Sequence, residues 1–333
     1  MRALMVLLVI GCLLSAAQAA AEPRRPVHTY SIVARDPDTG ELGVAVQSHW
    51  FAVGTLVPWA RAGVGAVATQ SFIDVRYGVE GLALMQQGSS APEALERLLH
   101  DDPTPALRQV GMIDARGRIA QHTGGQCIAY AGHLAGADFA VQANLMSGSG
   151  VPAAMAAAFR AARGTLAERM LAALEAAQAA GGDLRGRQSA ALLVVRGQAT
   201  ARPWEDTLVN LHVEDNPAPL RELRRLLTLE TAYDQMNAGD HALERDDIDG
   251  ALAHYSAAEA LAPENAEMKF WHAVSLVNAQ RVDAALPVFE QAFRADPGWR
   301  VLVPRLVDAG LLEVAPDTLQ RIRGLGLQQE VEP

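Results

Sequence analysis

Apolar positions alternate along short stretches in the first two-thirds of the chain and then settle into helical periods. Across Thr29 to Arg35, Tyr30, Ile32 and Ala34 oppose Val33, and across Glu41 to Ser48, Val44 and Val46 oppose Leu42 and Ala45. Between them Asp36-Pro37-Asp38-Thr39-Gly40 is turn chemistry, so the two stretches read as a β-hairpin. Both faces are apolar, which predicts a sheet covered on both sides.

Further strands are expected at Val53 to Trp59, Gly63 to Thr69, Arg108 to Asp114, Arg118 to His122, Cys127 to Ala131, Phe139 to Ala143, Ser189 to Val195 and Leu208 to Val213. Helices are expected at Val75 to Gln87, Ala91 to His100, Pro152 to Ala162 and Leu166 to Ala180. Ser90 with Glu93 and Thr165 with Glu168 supply capping boxes for two of them. Strands, paired helices and strands again predict an α+β core of two sheets flanked by helix layers.

Residues 216–237 read as a connecting helix, with its strongest pattern over Leu220 to Tyr233. Beyond it Ala251, Tyr255, Ala258 and Pro263 recur 34 residues later as Ala285, Phe289, Ala292 and Pro297, with Gly239 and Ala273 in register. This is the tetratricopeptide period, in which small residues let paired helices cross and Pro ends the second helix. The array is assigned to 238–312 and a tail to 313–333. Two repeats bury too little by themselves, so the preceding helix and Val301 to Leu311 are expected to close the stack.

Composition adds a compartment. Arg2, the apolar run Ala3 to Leu14 and Ala17-Gln18-Ala19 form a signal-peptide pattern over 1–19, leaving 20–28 as a short leader. The expected location is periplasmic or secreted, with Val9-Ile10-Gly11-Cys12 as an alternative lipoprotein site. No later stretch is long enough to span a membrane. If Cys12 leaves, Cys127 is the one remaining thiol and no disulfide framework forms. The net charge is −10 and Lys269 is the single lysine, which gives no footprint for nucleic acid and no phosphate-binding P-loop. The histidines and cysteines have no metal-ligand spacing and no dinucleotide fingerprint follows a strand, so neither metal nor cofactor is expected.

The hairpin then points to chemistry. Pairing about a turn at Asp36 to Gly40 sets Thr29 opposite Gln47, with Ser48 and His49 adjacent. A free N-terminal threonine carries its own dyad, a hydroxyl nucleophile and an α-amine whose reference pKa is about 7.7–8.0. The alternative is an ordinary β-branched strand residue.

Several tracts carry a family resemblance: Thr29-Tyr30-Ser31-Ile32-Val33-Ala34-Arg35-Asp36, Gly43-Val44-Ala45-Val46-Gln47-Ser48, Val57 to Gln70, Thr123-Gly124-Gly125-Gln126-Cys127, Gln142-Ala143-Asn144-Leu145 and Gly186 to Leu192. Over about 29–215 the chain resembles the bacterial family known as domain of unknown function 1028. That resemblance implies the αββα sandwich of N-terminal-nucleophile (Ntn) hydrolases and amide hydrolysis, with the family's opening threonine falling on Thr29. It also implies a departure: His28 precedes Thr29, so a free amine requires a cut at His28-Thr29. In a proteasome-like comparison the acidic residue matches Gln47 and the lysine matches Arg61, leaving the α-amine as base with His49 as helper.

Asn144, ending a strand, is a candidate oxyanion donor, the equal alternative being a turn-forming asparagine before Leu145-Met146-Ser147-Gly148. Thr69, Gln70, Asp74 and Arg76, where a strand runs into a helix, and Gln188 with Ser189 at a strand start, are candidate substrate-binding residues. The first reading is an exported hydrolase acting on a peptide or small amide. The second is an inert Ntn fold whose repeats bind a protein partner or peptide.

Overall fold

The computed structural model describes residues 29–327. The signal-peptide and leader assignments at 1–19 and 20–28, with the lipoprotein alternative at Cys12, lie outside the described residues. Among the described residues no helix is long and apolar enough to cross a membrane.

The chain opens as the predicted hairpin, β1 (Thr29–Arg35) and β2 (Leu42–Ser48). Its turn is held by Asp36, whose Oδ1 accepts from the backbone N–H groups of Asp38 at 2.9 Å and Thr39 at 3.0 Å. Gly40 supplies the positive φ of 76° that closes it. The register differs from expectation by one residue, because Glu41 belongs to the turn: Thr29 pairs with Ser48 and Tyr30 with Gln47.

The following strands are β3 (Pro58–Arg61), β4 (Gly65–Ser71), β5 (Arg108–Asp114), β6 (Ile119–Thr123), β7 (Gly132–Gly136), β8 (Phe139–Ala143), β9 (Ser189–Val195) and β10 (Thr207–Val213). Two antiparallel sheets result, one ordered β10-β9-β2-β1-β8-β7 and the other β3-β4-β5-β6. Val53 begins a one-turn 3-10 helix rather than the expected strand, and residues 124–131 form an irregular loop rather than a strand. The strand there is β7, which is bounded by Gly132 and Gly136 and therefore carries little β-propensity to read.

Helices α1 (Arg76–Gln86) and α2 (Ala91–Asp101) cover the smaller sheet, and α3 (Val151–Ala161) and α4 (Leu166–Ala179) cover the larger. Both predicted capping boxes form, at Ser90 with Glu93 and at Thr165 with Glu168. Strand alternation sorts the core into layers. Val33, Val44, Val46 and Ala140 meet Ala66, Ala68 and Ile113 between the sheets. Tyr30, Ile32, Phe139 and Val141 face Met155, Met170 and Leu174 of the helices. Val67, Val110 and Met112 face Tyr77, Leu82 and Leu95. The layers therefore run α, β, β, α, the α+β architecture that the resemblance implies.

α5 (Pro219–Leu243) is one continuous helix that joins the sandwich to the array. Its first half packs Leu220, Leu223 and Leu227 into the core under the larger sheet, and Arg224 makes a two-pronged ion pair with Glu175 of α4. Its second half packs on α6 (Ile248–Leu261), followed by α7 (Ala266–Asn278), α8 (Val282–Ala295), α9 (Gly298–Asp308) and α10 (Pro316–Gly324). The recurring residues are the packing residues: Ala251, Tyr255 and Ala258 on α6 and Ala285, Phe289 and Ala292 on α8 are all buried. Gly239 on α5 lies so close to the Tyr255 ring that a Cβ there would sit 3.0 Å from it.

Candidate functional site

At the end of the sandwich where β1 begins, the apolar layer between the sheets gives way to hydroxyls and carboxamides. Alternation turns Thr29 and Ser31 of β1 toward the smaller sheet, which answers with Gln70 of β4 and Gln109 of β5. Thr29, Ser31, Ser48, Gln70, Gln109, Gln142 and Asn144 are all buried, so their polar atoms depend on one another.

The bonds form a connected set. Thr29 Oγ1 donates to Ser48 Oγ at 3.1 Å. The Thr29 carbonyl accepts from Gln70 Nε2 at 3.1 Å and from the Asn144 backbone N–H at 3.1 Å. Gln109 Oε1 accepts from Gln70 Nε2 at 2.7 Å and from Asn144 Nδ2 at 2.8 Å. Gln109 Nε2 in turn reaches the Ala143 carbonyl at 2.9 Å and Thr123 Oγ1 at 2.9 Å. Ser31 Oγ donates to Gln70 Oε1 at 2.6 Å and accepts from Gln142 Nε2 at 3.3 Å. Gly111 on β5 leaves the room for Gln142, since a Cβ there would be 3.2 Å from Gln142 Oε1. Two buried glutamines of the smaller sheet, bonded to each other, thus hold the start of β1 and the end of β8: Gln70 takes Thr29 and Gln109 takes Asn144.

The one-residue register difference redistributes the expected residues. Ser48, not Gln47, stands across from Thr29. Gln47 is on the opposite face of β2, where its Oε1 accepts from the hydroxyl of Tyr30 in the helix-facing layer. Burial first, and the Asp183 carboxylate second, raise the Tyr30 hydroxyl well above its ordinary range. His49 follows Ser48 at the same end; its backbone N–H donates to Asp183 Oδ2 at 3.1 Å, and its Nδ1 is buried with no hydrogen-bond partner among the described residues. Arg185 grips the same carboxylate at 2.8 Å.

Arg61 is not near Thr29. It ends β3 opposite Gly65, while Gln70 is five residues further along β4, roughly 17 Å away at strand rise. Its guanidinium meets Gln86 at the C-terminal end of α1. Thr69 shares the strand with Gln70 but faces the helix layer, donating to the Asp74 carbonyl at 3.2 Å. Asp74 and Arg76 form a paired carboxylate and guanidinium at 2.6 Å on the loop into α1. Burial opposes the charge on Asp74, but Arg76 and Arg108 outweigh it and hold the carboxyl below its ordinary range. Ser189 accepts from the Val53 N–H at 3.2 Å and donates to the Trp50 carbonyl, bracing the segment after β2. Gln188 donates its N–H to the Ser48 carbonyl at 3.1 Å and so continues the pairing of β2 and β9.

Gln109, Thr123, His133 and Asp183 complete the cluster and were not anticipated from the sequence. Thr123 Oγ1 lies 2.7 Å from His133 Nδ1 and accepts from Gln109 Nε2. Burial, then neighbouring His122, pushes His133 below its ordinary range and favours the neutral ring. The available signal was a glutamine at an inward position of each apolar strand, Gln109 in RQVGMID and Gln142 in FAVQA. Cys127, on the loop beside β5, bonds the Arg108 carbonyl at 3.3 Å, and burial raises its thiol, which keeps it protonated near neutral pH. Among the described residues no group of three or more His, Cys, Asp or Glu side chains is placed to hold a metal ion.

Comparison with known proteins places this cluster in a family. The profile of the family of unknown function DUF1028 matches residues 29–223, beginning at Thr29 itself. The chain belongs to the DUF1028 family. A DUF1028 protein from Silicibacter pomeroyi, known by crystal structure, is similar at 30% identity with a TM-score of 0.55; the match covers 61% of this chain and 89% of that one. The DUF1028 region thus takes in the whole sandwich and the start of α5, and the remaining helices lie beyond it. No curated protein matches the sequence.

Proposed function

We propose that this DUF1028 protein is an exported amide hydrolase that uses Thr29 as an N-terminal nucleophile after the chain is cut between His28 and Thr29. The observation that carries the reading is the placement of Thr29. It opens a central strand, its hydroxyl lies 3.1 Å from Ser48 Oγ, and its carbonyl is fixed from both sides by Gln70 and Asn144. A nucleophile held by rigid strands and a second layer of hydrogen bonds is already oriented for attack.

In this mechanism the freed α-amine takes the proton from Thr29 Oγ1 as the oxygen bonds to the amide carbonyl carbon. The resulting oxyanion is stabilised by the Asn144 side-chain amide and backbone N–H groups. The ammonium returns the proton to the leaving nitrogen as the C–N bond breaks, and water, deprotonated by the same amine, hydrolyses the ester. Ser48 orients the hydroxyl and His49 borders the site, while Arg61 and Gln47 have no part in it. The substrate class is a peptide or a small amide, drawn from cell-wall material if export places the protein there. Exposed Phe51, Ile128, Tyr130 and Leu184 on the surrounding loops would meet its apolar portion.

A panel of peptidyl and acyl anilides, offered to protein that begins at Thr29, tests the reaction. Hydrolysis that survives Thr29→Ser and disappears in Thr29→Ala supports it; hydrolysis indifferent to Thr29 refutes it.

One observation favours a second reading. Thr29 is fully buried, which suits a strand residue in an inert sandwich. The protein would then act as a binding module through its tetratricopeptide-like helices.

A further inference from the structure

A cavity of about 800 Å³ lies at the other end of the sandwich from Thr29. Three elements form it: the turn between β3 and β4, the C-terminal end of α1, and the long β9–β10 connection at 196–206. Its floor is apolar, made by Ala62, Met85 and Val195, all buried. Its rim carries Arg61, Gln86, Gln198 and Thr200, all exposed. Trp204, 77% exposed, stands in the one-turn helix whose first residue, Pro203, lines the cavity.

The connection that shapes this cleft is built to hold its form. Thr200 N–H donates to Asp206 Oδ1 at 2.8 Å, Thr200 Oγ1 to the Arg202 carbonyl at 2.8 Å, and Arg196 Nε to the Glu205 carbonyl at 2.8 Å. Gly63 lets the two loops touch: its N–H donates to the Arg196 carbonyl at 3.2 Å, and a Cβ there would be 3.3 Å from the Ala199 nitrogen. A preorganised connection loses little entropy when it binds.

We infer that this cleft binds a short neutral oligosaccharide. Its size lies within the range of small-molecule sites. The planar amide of Gln198 presents a donor and an acceptor that match adjacent sugar hydroxyls, and the Arg61–Gln86 pair, though bonded to each other through one guanidinium nitrogen and the Gln86 oxygen, adds its remaining N–H donors. The apolar floor suits the C–H face of a pyranose, and an exposed indole offers a large apolar platform with a polar edge. Arg61 and Asp206 are the charged groups of the lining, of opposite sign, and Asp206 spends Oδ1 inside its own loop, so the lining shows no charge array for a polyanion. The site is separate from Thr29 and does not depend on the hydrolase reading.

Calorimetric titration of the full chain with triacetylchitotriose and with maltotriose, using inorganic phosphate as a control, tests the assignment. One-to-one saturable binding of at least one trisaccharide is expected in the millimolar range or tighter. It should weaken about tenfold or more in Trp204→Ala and in Gln198→Ala and stay unchanged in Thr29→Ala. Both substituted side chains are exposed, so the melting temperature should not move. Side-chain amide NMR signals of Gln86 and Gln198 should shift on titration of the unmodified protein, a readout that needs no variant. No saturable binding of either sugar, or binding that neither variant alters and neither amide reports, would overturn the assignment, as would saturation by phosphate alone.

Discussion

Gln70 Nε2 lies 3.1 Å from the carbonyl oxygen of Thr29 and donates to it across the gap between the two sheets. The same nitrogen also reaches Gln109 Oε1 at 2.7 Å, so the position of Thr29 is referred to both layers of the sandwich.

That arrangement makes Gln109 the costly residue to replace. Gln109→Leu removes the acceptor of Gln70 and Asn144 and the donor to Thr123 in a fully buried setting. Stability should fall by about 2–4 kcal/mol, more than any one of these bonds is worth, because several groups lose partners together. Denaturant unfolding of Gln70→Leu, Gln109→Leu and the double variant should give a coupling of at least about 0.5 kcal/mol. Strict additivity would show that the two amides act separately.

Acid should be felt at Asp102. Burial opposes its charge, but Arg108 at 2.7 Å, the Thr104 N–H and the Tyr77 hydroxyl outweigh burial and hold the carboxyl at about 2. A depressed carboxylate stabilises the folded state above its unfolded pKa and loses that contribution as pH falls through the folded value. Stability should therefore drop by roughly 2 kcal/mol between about pH 4 and pH 2. Asp102→Asn should be less stable at neutral pH and show a flatter acid limb in urea midpoints.

Glu230 should behave in the opposite sense. It lies on α5 in a cleft between that helix and the sandwich, with Oε2 buried and without a partner among the described residues. Burial, then Asp234 one helical turn along, pushes its carboxyl up to about 7. A raised carboxyl favours the folded state below the unfolded pKa and loses that advantage as pH rises through the folded value. Glu230→Gln should match the unmodified protein near pH 4 and exceed it by about 1–2 kcal/mol at pH 8, allowing for solvent screening. Thermal melts at the two pH values decide it.

The array should fail locally. Phe289 is fully buried, 5.7 Å from the Phe270 ring and 5.5 Å from Phe293, at the packing position shared with Tyr255. Phe289→Ala should cost about 3–5 kcal/mol. Hydrogen exchange should rise across α7 to α9 while β1, β2 and β9 stay protected, since in repeat arrays each unit rests mainly on its neighbours.

The sequence made the layers legible where pattern and packing agree. Alternation identified β1, β2, β5, β8 and β9, and the Ser90 and Thr165 capping boxes marked two helix starts that form as read. The 34-residue recurrence marked Tyr255 and Phe289, both buried. What escaped depends on contacts distant in the chain. Counting Glu41 into β2 rather than the turn was a one-residue slip, and period-two alternation turned that slip into a change of face: Gln47 went to Tyr30 and Ser48 to Thr29. Gly132 to Gly136 becomes a strand only because β8 pairs with it. Arg61 reads as a neighbour of the site until the β3–β4 pairing carries it to the far end. Gln109 stands out locally only as a polar residue in an apolar strand, and its role is not legible because its partners come from four other strands and the chain following them.

The proposed reaction requires Thr29 to become the first residue of the working protein. N-terminal sequencing and intact mass of the protein recovered from the periplasm test it most directly, with Thr29→Ala as the comparison. The account predicts a chain that begins Thr-Tyr-Ser-Ile. A homogeneous, folded protein that retains His28 ahead of Thr29 would contradict it and leave the binding-module reading in its place.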